Sequence, residues 1–271
     1  MTLLPTNGKL NSLKLTALPS RNMEVLLDTG TLTALQELLE ITPELSKLMI
    51  SLEDPSGGLS RYFETDVYDG TLQNLMAMSH LKHLSFDFLS DDLIAFILQS
   101  DDRAWHLESA RFSGCKRCLG DPDQTLVTLL SKLSNDLQEF ALLIDLEQSL
   151  RSFSSGLLHQ RLGGLPNIWQ HRVNLKSLEL NWNAFDDEGI ACIVESCPQL
   201  EVLLLDRAEY WTDRTVQRIL ASLPSLQRLR VRSSAMMSDQ TLYELQQAPQ
   251  IRILEIEPSY AMSSSMIDQL K

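Results

Sequence analysis

LKSLELNWNAFDDEGIACIVESCPQ, the stretch from Leu175 to Gln199, is one unit of a repeat that runs along the chain. The unit after it, LEVLLLDRAEYWTDRTVQRILASLPS, has the same order of features, and two more units begin at Leu226 and Ile251. Each unit opens on Leu-x-x-Leu-x-Leu or a close variant, whose alternating apolar residues predict a short β-strand. Self-similarity at a period of about 25 residues indicates a solenoid of stacked units.

Five earlier copies of the motif are less evenly spaced. They begin at Leu10, Leu45, Leu81, Leu107 and Leu137. We therefore predict about nine repeats in a single domain over residues 1–271. Its irregular part covers residues 1–174, with an insertion at about 143–174, and its regular part covers residues 175–271.

A polar loop and a helix follow each of the regular strands. Helix starts are predicted at Asp186-Asp187, Thr212-Asp213 and Ser238-Asp239, and helix ends at Pro198, Pro224 and Pro249. Short oxygen-bearing side chains cap free backbone N–H groups, and proline cannot continue a helix. Because one such unit cannot bury its own apolar face, neighbouring units stack and share a core. The sequence thus predicts a curved, right-handed α/β solenoid, with a parallel sheet on the concave face and helices on the convex face.

The charge and the cysteine content narrow the function classes. The formal net charge is -13, and an acidic chain repels phosphate, so nucleic acid and anionic membranes are poor partners. We find no secretory signal pattern and no apolar run of about 18 residues, so no membrane span is predicted. Four cysteines in 271 residues do not make a disulfide scaffold. These features predict a cytoplasmic or nuclear protein.

The unit from Leu175 resembles the cysteine-containing type of leucine-rich repeat. Its ending, Ser196-Cys197-Pro198-Gln199-Leu200-Glu201, matches the C-P-x-L pattern of that type, and later units have Leu223 or Ala248 in place of the cysteine. This type is typical of F-box/leucine-rich-repeat proteins, which recruit substrates to a ubiquitin ligase. The resemblance implies a non-enzymatic substrate-recognition or scaffolding module. We find no F-box, and two interpretations follow: the chain is the substrate-reading part of something longer, with a ligase adaptor bound through a segment missing from this chain, or it is a stand-alone repeat protein.

The motifs of enzymes and metal sites are largely missing. Cys115 and Cys118, in a predicted loop, have the spacing of half a zinc site, but no second pair follows at a matching interval. Unreactive loop thiols are the favoured interpretation, and metal or redox chemistry is the alternative. Cys192 and Cys197 are predicted to pack as small apolar groups. We find no phosphate-binding glycine loop, dinucleotide fingerprint or G-x-S-x-G motif, so no enzyme activity and no cofactor are predicted.

The outward positions of the last strands carry charge. In each motif the third, fifth and seventh residues alternate with the core leucines and face the concave side. The predicted partner-binding residues at these positions are Glu179, Leu204, Asp206, Arg228, Arg230, Arg232, Glu255 and Glu257. The register predicts Arg232 between Asp206 and Glu257, and Arg230 beside Glu255. Two interpretations remain: a ladder of cross-strand ion pairs, or a strip whose arginines grip carboxylates of a partner.

Aromatic residues follow the same strands. Trp182, Tyr210 and Trp211 lie among polar neighbours, and stacking would bring them side by side. Exposed aromatics beside arginine are typical interface anchors, so all three are predicted partner-binding residues. The alternative is that they cover the edge of the core.

A second function class is regulation of a small GTPase. The GTPase-activating protein of Ran is also a leucine-rich-repeat protein and uses an exposed loop arginine. The candidates here are Arg207 and Arg214, which lie on either side of Trp211.

Overall fold

The computed structural model describes residues 12–17, 45–52, 80–86, 105–115, 126, 129–144, 169–170, 172–180, 185–206, 211–232, 236–257 and 259–269. The chain forms two compact units, Met1–Ser134 and Asn135–Lys271, here the N-terminal unit and the C-terminal unit. Most of the predicted insertion at 143–174 lies outside the described residues. Within the described residues, no helix has both the length and the apolar character needed to cross a membrane.

The described residues of the N-terminal unit include four parallel strands. They are β1 (Ser12–Ala17), β2 (Lys47–Leu52), β3 (His83–Phe86) and β4 (Ser109–Cys115). Each pairs with the next in sequence order. Leu48, Leu84 and Ala110 lie side by side in register and are buried. Cys115, predicted in a loop, instead ends β4, because the extended backbone continues past the motif.

The described residues of the C-terminal unit form five strands and four helices with assigned bounds. The strands are β5 (Glu139–Ile144), β6 (Ser177–Leu180), β7 (Val202–Leu205), β8 (Arg228–Val231) and β9 (Ile253–Ile256). The helices are α1 (Asp187–Ser196), α2 (Asp213–Ser222), α3 (Asp239–Gln246) and α4 (Ser264–Gln269). The strands pair in parallel and in sequence order. Leu178, Leu203 and Leu229 are adjacent in register and fully buried, as the motif predicts.

The helices of the C-terminal unit begin where the capping pattern predicts. Their N-cap residues are Asp186, Thr212 and Ser238. The Asp186 Oδ1 atom accepts a hydrogen bond of 2.9 Å from the Gly189 N–H, which satisfies a backbone donor in the first turn. Helices α1, α2 and α3 each end shortly before the predicted proline.

The residue before each N-cap belongs to the core. Phe185, Trp211 and Met237 occupy this position, and all three are buried. The fourth residues of the three helices are also buried: Ile190, Val216 and Leu242. This spacing is that of the hydrophobic staple, which fixes the angle at which the chain enters a helix. These buried pairs therefore hold each loop against the start of the helix that follows it.

The aspartate that follows each N-cap has a different role from the N-cap residue itself. Asp213 follows the N-cap of α2, but its carboxylate accepts hydrogen bonds from the next repeat. The donors are the Ser238 N–H at 2.8 Å, the Ser238 hydroxyl at 2.6 Å and the Thr241 hydroxyl at 2.5 Å. Burial opposes ionisation of Asp213, but these hydrogen bonds outweigh it and hold the pKa of the carboxyl below its ordinary value.

The same link recurs on both sides of Asp213. Asp187 accepts a 2.7 Å hydrogen bond from the Thr212 hydroxyl and a further one from the Thr215 hydroxyl. Asp239 accepts a 2.6 Å hydrogen bond from the Ser263 N–H. Asp187, Asp213 and Asp239, here the aspartate column, thus tie each helix start to the one that follows. Stacked repeats are stabilised by such nearest-neighbour contacts.

Candidate partner-binding face

The predicted charged residues lie together on the C-terminal unit. The C-terminal strip consists of Glu179, Leu204, Asp206, Arg228, Arg230, Arg232, Glu255 and Glu257. The register of β6 to β9 places Glu179, Leu204, Arg230 and Glu255 in one row across the sheet. These positions alternate with the buried leucines, so the strip faces away from the core.

Arg230 is the most enclosed charged group of the strip, with a side chain that is 12% exposed. Its Nη2 atom hydrogen-bonds Glu179 Oε1 at 2.9 Å, and its Nη1 atom lies 4.0 Å from Glu255 Oε2. The Arg230 Nε and Asp206 Oδ1 atoms are 3.1 Å apart but not aligned as a hydrogen bond, so this contact is a charge contact. Three carboxylates therefore hold one guanidinium in place.

Arg230 also spans the neighbouring strand. It lies on β8 and bonds Glu179 on β6, which is two strand spacings or about 10 Å away. Leu204 occupies the position between them on β7 and is only 7% exposed although it faces outward. The stem of Arg230 covers Leu204, as long charged side chains often cover apolar surface.

Arg232 differs from Arg230 in both exposure and contacts. Its side chain is 51% exposed, and its nitrogens lie 4.0 Å from Asp206 Oδ1 and 3.6 Å from Glu255 Oε2. Both distances exceed that of a hydrogen bond. The Arg232 N–H donates to the Leu205 carbonyl, and the Glu257 N–H donates to the Val231 carbonyl, so the backbone sets Arg232 at the predicted register position between Asp206 and Glu257. Its guanidinium also extends toward Glu255 on β9.

Glu255 is the carboxylate that the arginines of β8 share. Its Oε1 atom accepts a 2.6 Å hydrogen bond from Arg228 Nη2. This bond lowers the pKa of the Glu255 carboxyl, burial opposes the shift, and the charges of Arg228, Arg230 and Arg232 add to it, so the pKa stays below its ordinary value. Of the two interpretations of the strip, the ion-pair ladder describes Arg230 and the bond between Arg228 and Glu255, and Arg228 and Arg232 both keep exposed surface.

The aromatic part of the predicted site does not join the strip. Trp211 is 0% exposed, so the interpretation as a core residue holds and the interpretation as an exposed anchor is wrong. A sequence signal was available, because Trp211 directly precedes the N-cap Thr212, where apolar residues pack inward. Trp182 and Tyr210 lie outside the described residues.

The remaining candidates have separate locations. Arg214 is exposed in the first turn of α2, and Arg207 lies outside the described residues, so small-GTPase regulation stays a prediction.

Cys197 is fully buried, and burial raises the pKa of its thiol to about 12 despite the nearby charge of Arg172. Cys118 lies outside the described residues. Among the residues that are described, no three His, Cys, Asp or Glu side chains are grouped to hold a metal ion.

No protein-family model matches the chain. No curated protein matches it either. The crystal structure of the Rad7 and Elc1 complex in yeast matches with a TM-score of 0.55 and 18% sequence identity, over 82% of this chain and 52% of that chain. A Thermobaculum terrenum O-GlcNAc hydrolase mutant aligns over 94% of this chain and 55% of that chain, at 10% identity. Its TM-score of 0.23 is too low to indicate a shared fold.

The likeness to the Rad7 structure concerns the fold. It confirms the predicted class, an α/β leucine-rich-repeat solenoid with parallel strands. The chain spans about half the length of that solved chain. The cysteine-containing subtype stays a prediction.

Proposed function

We propose that this chain is a non-enzymatic protein-interaction module that binds a partner protein through the C-terminal strip. The observation that carries the proposal is the contrast between two arginines of β8. Arg230 is enclosed by carboxylates, whereas Arg232 is half exposed and, among the residues that the structure describes, has its nearest carboxylate oxygen 3.6 Å away, beyond hydrogen-bond distance. A cation that is positioned but not saturated is suited to bind a carboxylate supplied by a partner.

The surroundings of Arg228 supply the apolar part of such a contact. Ile253 lies beside Arg228 in register and is 50% exposed, and Val202 flanks Arg228 on the other side. Interfaces combine an apolar centre with arginine and a polar rim. The strip offers this combination within three neighbouring strands.

The test compares two double truncations of equal charge. Arg228→Ala/Arg232→Ala removes the exposed cations of the strip, and Lys176→Ala/Arg252→Ala removes two exposed basic residues outside it. Both variants and the wild type are expressed at native level and purified with their partners for quantitative mass spectrometry. We expect at least one direct partner to fall about tenfold with the strip variant only, a change of about 1.4 kcal/mol in binding. Equal recovery of every partner with all three proteins would refute the proposal.

Arg230 is left intact in this test for a structural reason. Its removal would leave Glu179 and Asp206 close together without their shared cation. A loss of binding could then report unfolding rather than a lost contact. Equal melting temperatures of both double variants provide the folding control.

We further propose that the bound partner is a substrate presented to a ubiquitin ligase, in a cytoplasmic or nuclear complex. The support is the sequence resemblance to F-box repeat domains, together with a similar fold that was crystallised with a second protein, Elc1. Reciprocal co-purification of the native protein with ligase adaptors tests this finer role. If partners are recovered through the strip without any adaptor or ligase subunit, the interaction module stands and the ligase role is wrong.

A further inference from the structure

Strand β9 of the C-terminal unit is paired on one side. It pairs with β8, and within the described residues no strand pairs with its other side, here the open side. The Glu257 N–H donates to the Val231 carbonyl on the β8 side at 3.0 Å. Because backbone N–H groups alternate between the two sides of a strand, those of Leu254 and Ile256 point to the open side. Such a row of donors and acceptors is a template for a further strand.

The open side of β9 is also apolar. None of the four residues of β9 is buried. Leu254 and Ile256 are half-buried, whereas Leu229 and Val231, which lie beside them on β8, are 0% exposed. Ile253 is 50% exposed. The four residues of β9 include neither lysine nor proline, which often protect an edge strand from pairing.

The charges at the two ends of β9 fit a second copy of the chain. Arg252 precedes the strand, Glu257 follows it, and both are exposed. In an antiparallel pair, a two-fold axis brings the start of each strand to the end of the other. Arg252 of each copy then lies beside Glu257 of the second copy, and this contact occurs at both ends. A parallel pair would instead place like charges together.

We propose that β9 pairs antiparallel with β9 of a second copy, with Leu254 of both copies at the two-fold axis. Each Leu254 N–H then donates to the Leu254 carbonyl of the other copy. Each Ile256 N–H donates to the Arg252 carbonyl of the other copy, so the pair has about four backbone hydrogen bonds. A register centred on Glu255 would place two carboxylates directly opposite each other, which destabilises a strand pair.

This pairing joins the recognition surfaces of two copies. Residues that oppose each other across antiparallel strands point to the same face of the sheet, so the two C-terminal strips would lie side by side. The area is small, because four strand residues from each copy meet, and we expect a dissociation constant of about 10–100 μM. Each strip is complete within one copy, so pairing and partner binding can fail independently.

The test is sedimentation velocity of the full chain from about 5 to about 500 μM. The proteins are the wild type, Arg252→Glu, Glu257→Arg and the double variant with both changes. Each single variant places like charges at both ends of the pair, whereas the double variant restores opposite charges. The control is Lys176→Glu, which reverses the charge of an exposed residue beside β6, three strands from β9.

We expect the wild type to shift from monomer to dimer as its concentration rises. Each single variant should raise the dissociation constant about tenfold, the double variant should return to within about threefold of the wild type, and Lys176→Glu should change it less than about twofold. An equimolar mixture of Arg252→Glu and Glu257→Arg should associate more tightly than either variant alone. In that mixed pair, both end contacts join opposite charges.

A wild type that remains monomeric at about 500 μM would overturn the proposal. So would a double variant that associates no more tightly than the single variants, or an equal loss in Lys176→Glu. Melting temperatures serve as the folding control, since Glu257 also makes contacts within the chain. If Glu257→Arg melts at a lower temperature, the comparison of Arg252→Glu with Lys176→Glu decides the outcome.

Discussion

Replacement of Asp213 by alanine tests the aspartate column directly. The carboxylate accepts three hydrogen bonds, two from Ser238 and one from Thr241, over 2.5 to 2.8 Å. Hydrogen bonds to a charged group contribute about 1.5–3 kcal/mol each, but bonds that share one acceptor are not additive, and water replaces part of them at a half-buried site. We expect Asp213→Ala to lower the free energy of unfolding by about 2 kcal/mol and the melting temperature by about 4–8 °C.

The assay is urea unfolding followed by circular dichroism. A lower midpoint with an unchanged slope reports a loss of stability rather than a change in the denatured state. Asp239→Ala, which removes one hydrogen bond to the Ser263 N–H, should cost about half as much. Glu188→Ala is the matched control, because it removes an exposed carboxylate from the first turn of α1 and should stay within the error of the measurement.

Acid provides an independent check on Asp213. Its folded pKa lies below the ordinary value, so its contribution to stability is fully present above the unfolded pKa of about 3.9. This contribution is lost as the pH falls through the folded pKa. The difference between wild type and Asp213→Ala should therefore shrink below about pH 4. A difference under about 0.5 kcal/mol at pH 7, or one equally large at about pH 3, would refute the reasoning.

Three further predictions separate residues that support the fold from residues that are exposed. Arg230→Ala should destabilise the protein by about 2–3 kcal/mol in urea unfolding because it leaves paired carboxylates uncompensated, whereas Arg232→Ala should not change the midpoint; the reverse order would contradict the assignment. Trp211→Ala should cost about 3–5 kcal/mol by opening a cavity in the core, and a near-neutral result would place the indole outside the core. Cys197, fully buried and with a thiol pKa of about 12, should react with iodoacetamide only after denaturation, while Cys192 reacts slowly in the folded protein; mass spectrometry of the labelled peptides shows the order.

The strands were predictable because their signal is local. Alternating leucines in the motif from Leu175 specify both the extended backbone and the buried side, and β6 lies where the motif places it. The helix start at Asp186 was predictable for the same reason, since the N-cap carboxylate accepts a hydrogen bond from the Gly189 N–H within its own first turn. The partner of Asp213 was not, because Ser238 belongs to the next repeat and only stacking brings the two together.

The reach of long side chains was the second feature that the sequence did not predict. Register alone put Arg230 beside Glu255, but the guanidinium hydrogen-bonds Glu179, two strands away, and lies farther from Glu255. Sequence spacing specifies the strand position from which a side chain extends, but not the location of its charged end. Trp211 was misassigned for a related reason: its polar neighbours in sequence suggested exposure, whereas its place before an N-cap determined its burial.

In the C-terminal unit, the positions that join one repeat to the next differ from the outward positions at which we propose that a partner binds. The aspartate column and the residues before the N-caps join one repeat to the next, and the outward strand positions are spared that task except where a side chain such as Arg230 bridges strands. Under this proposal the outward residues can vary from strand to strand at little cost in folding, as the half-exposed Arg232 illustrates. Substitutions at Arg232 should then alter which partners bind while leaving unfolding unchanged, and substitutions at Arg230 should alter both together.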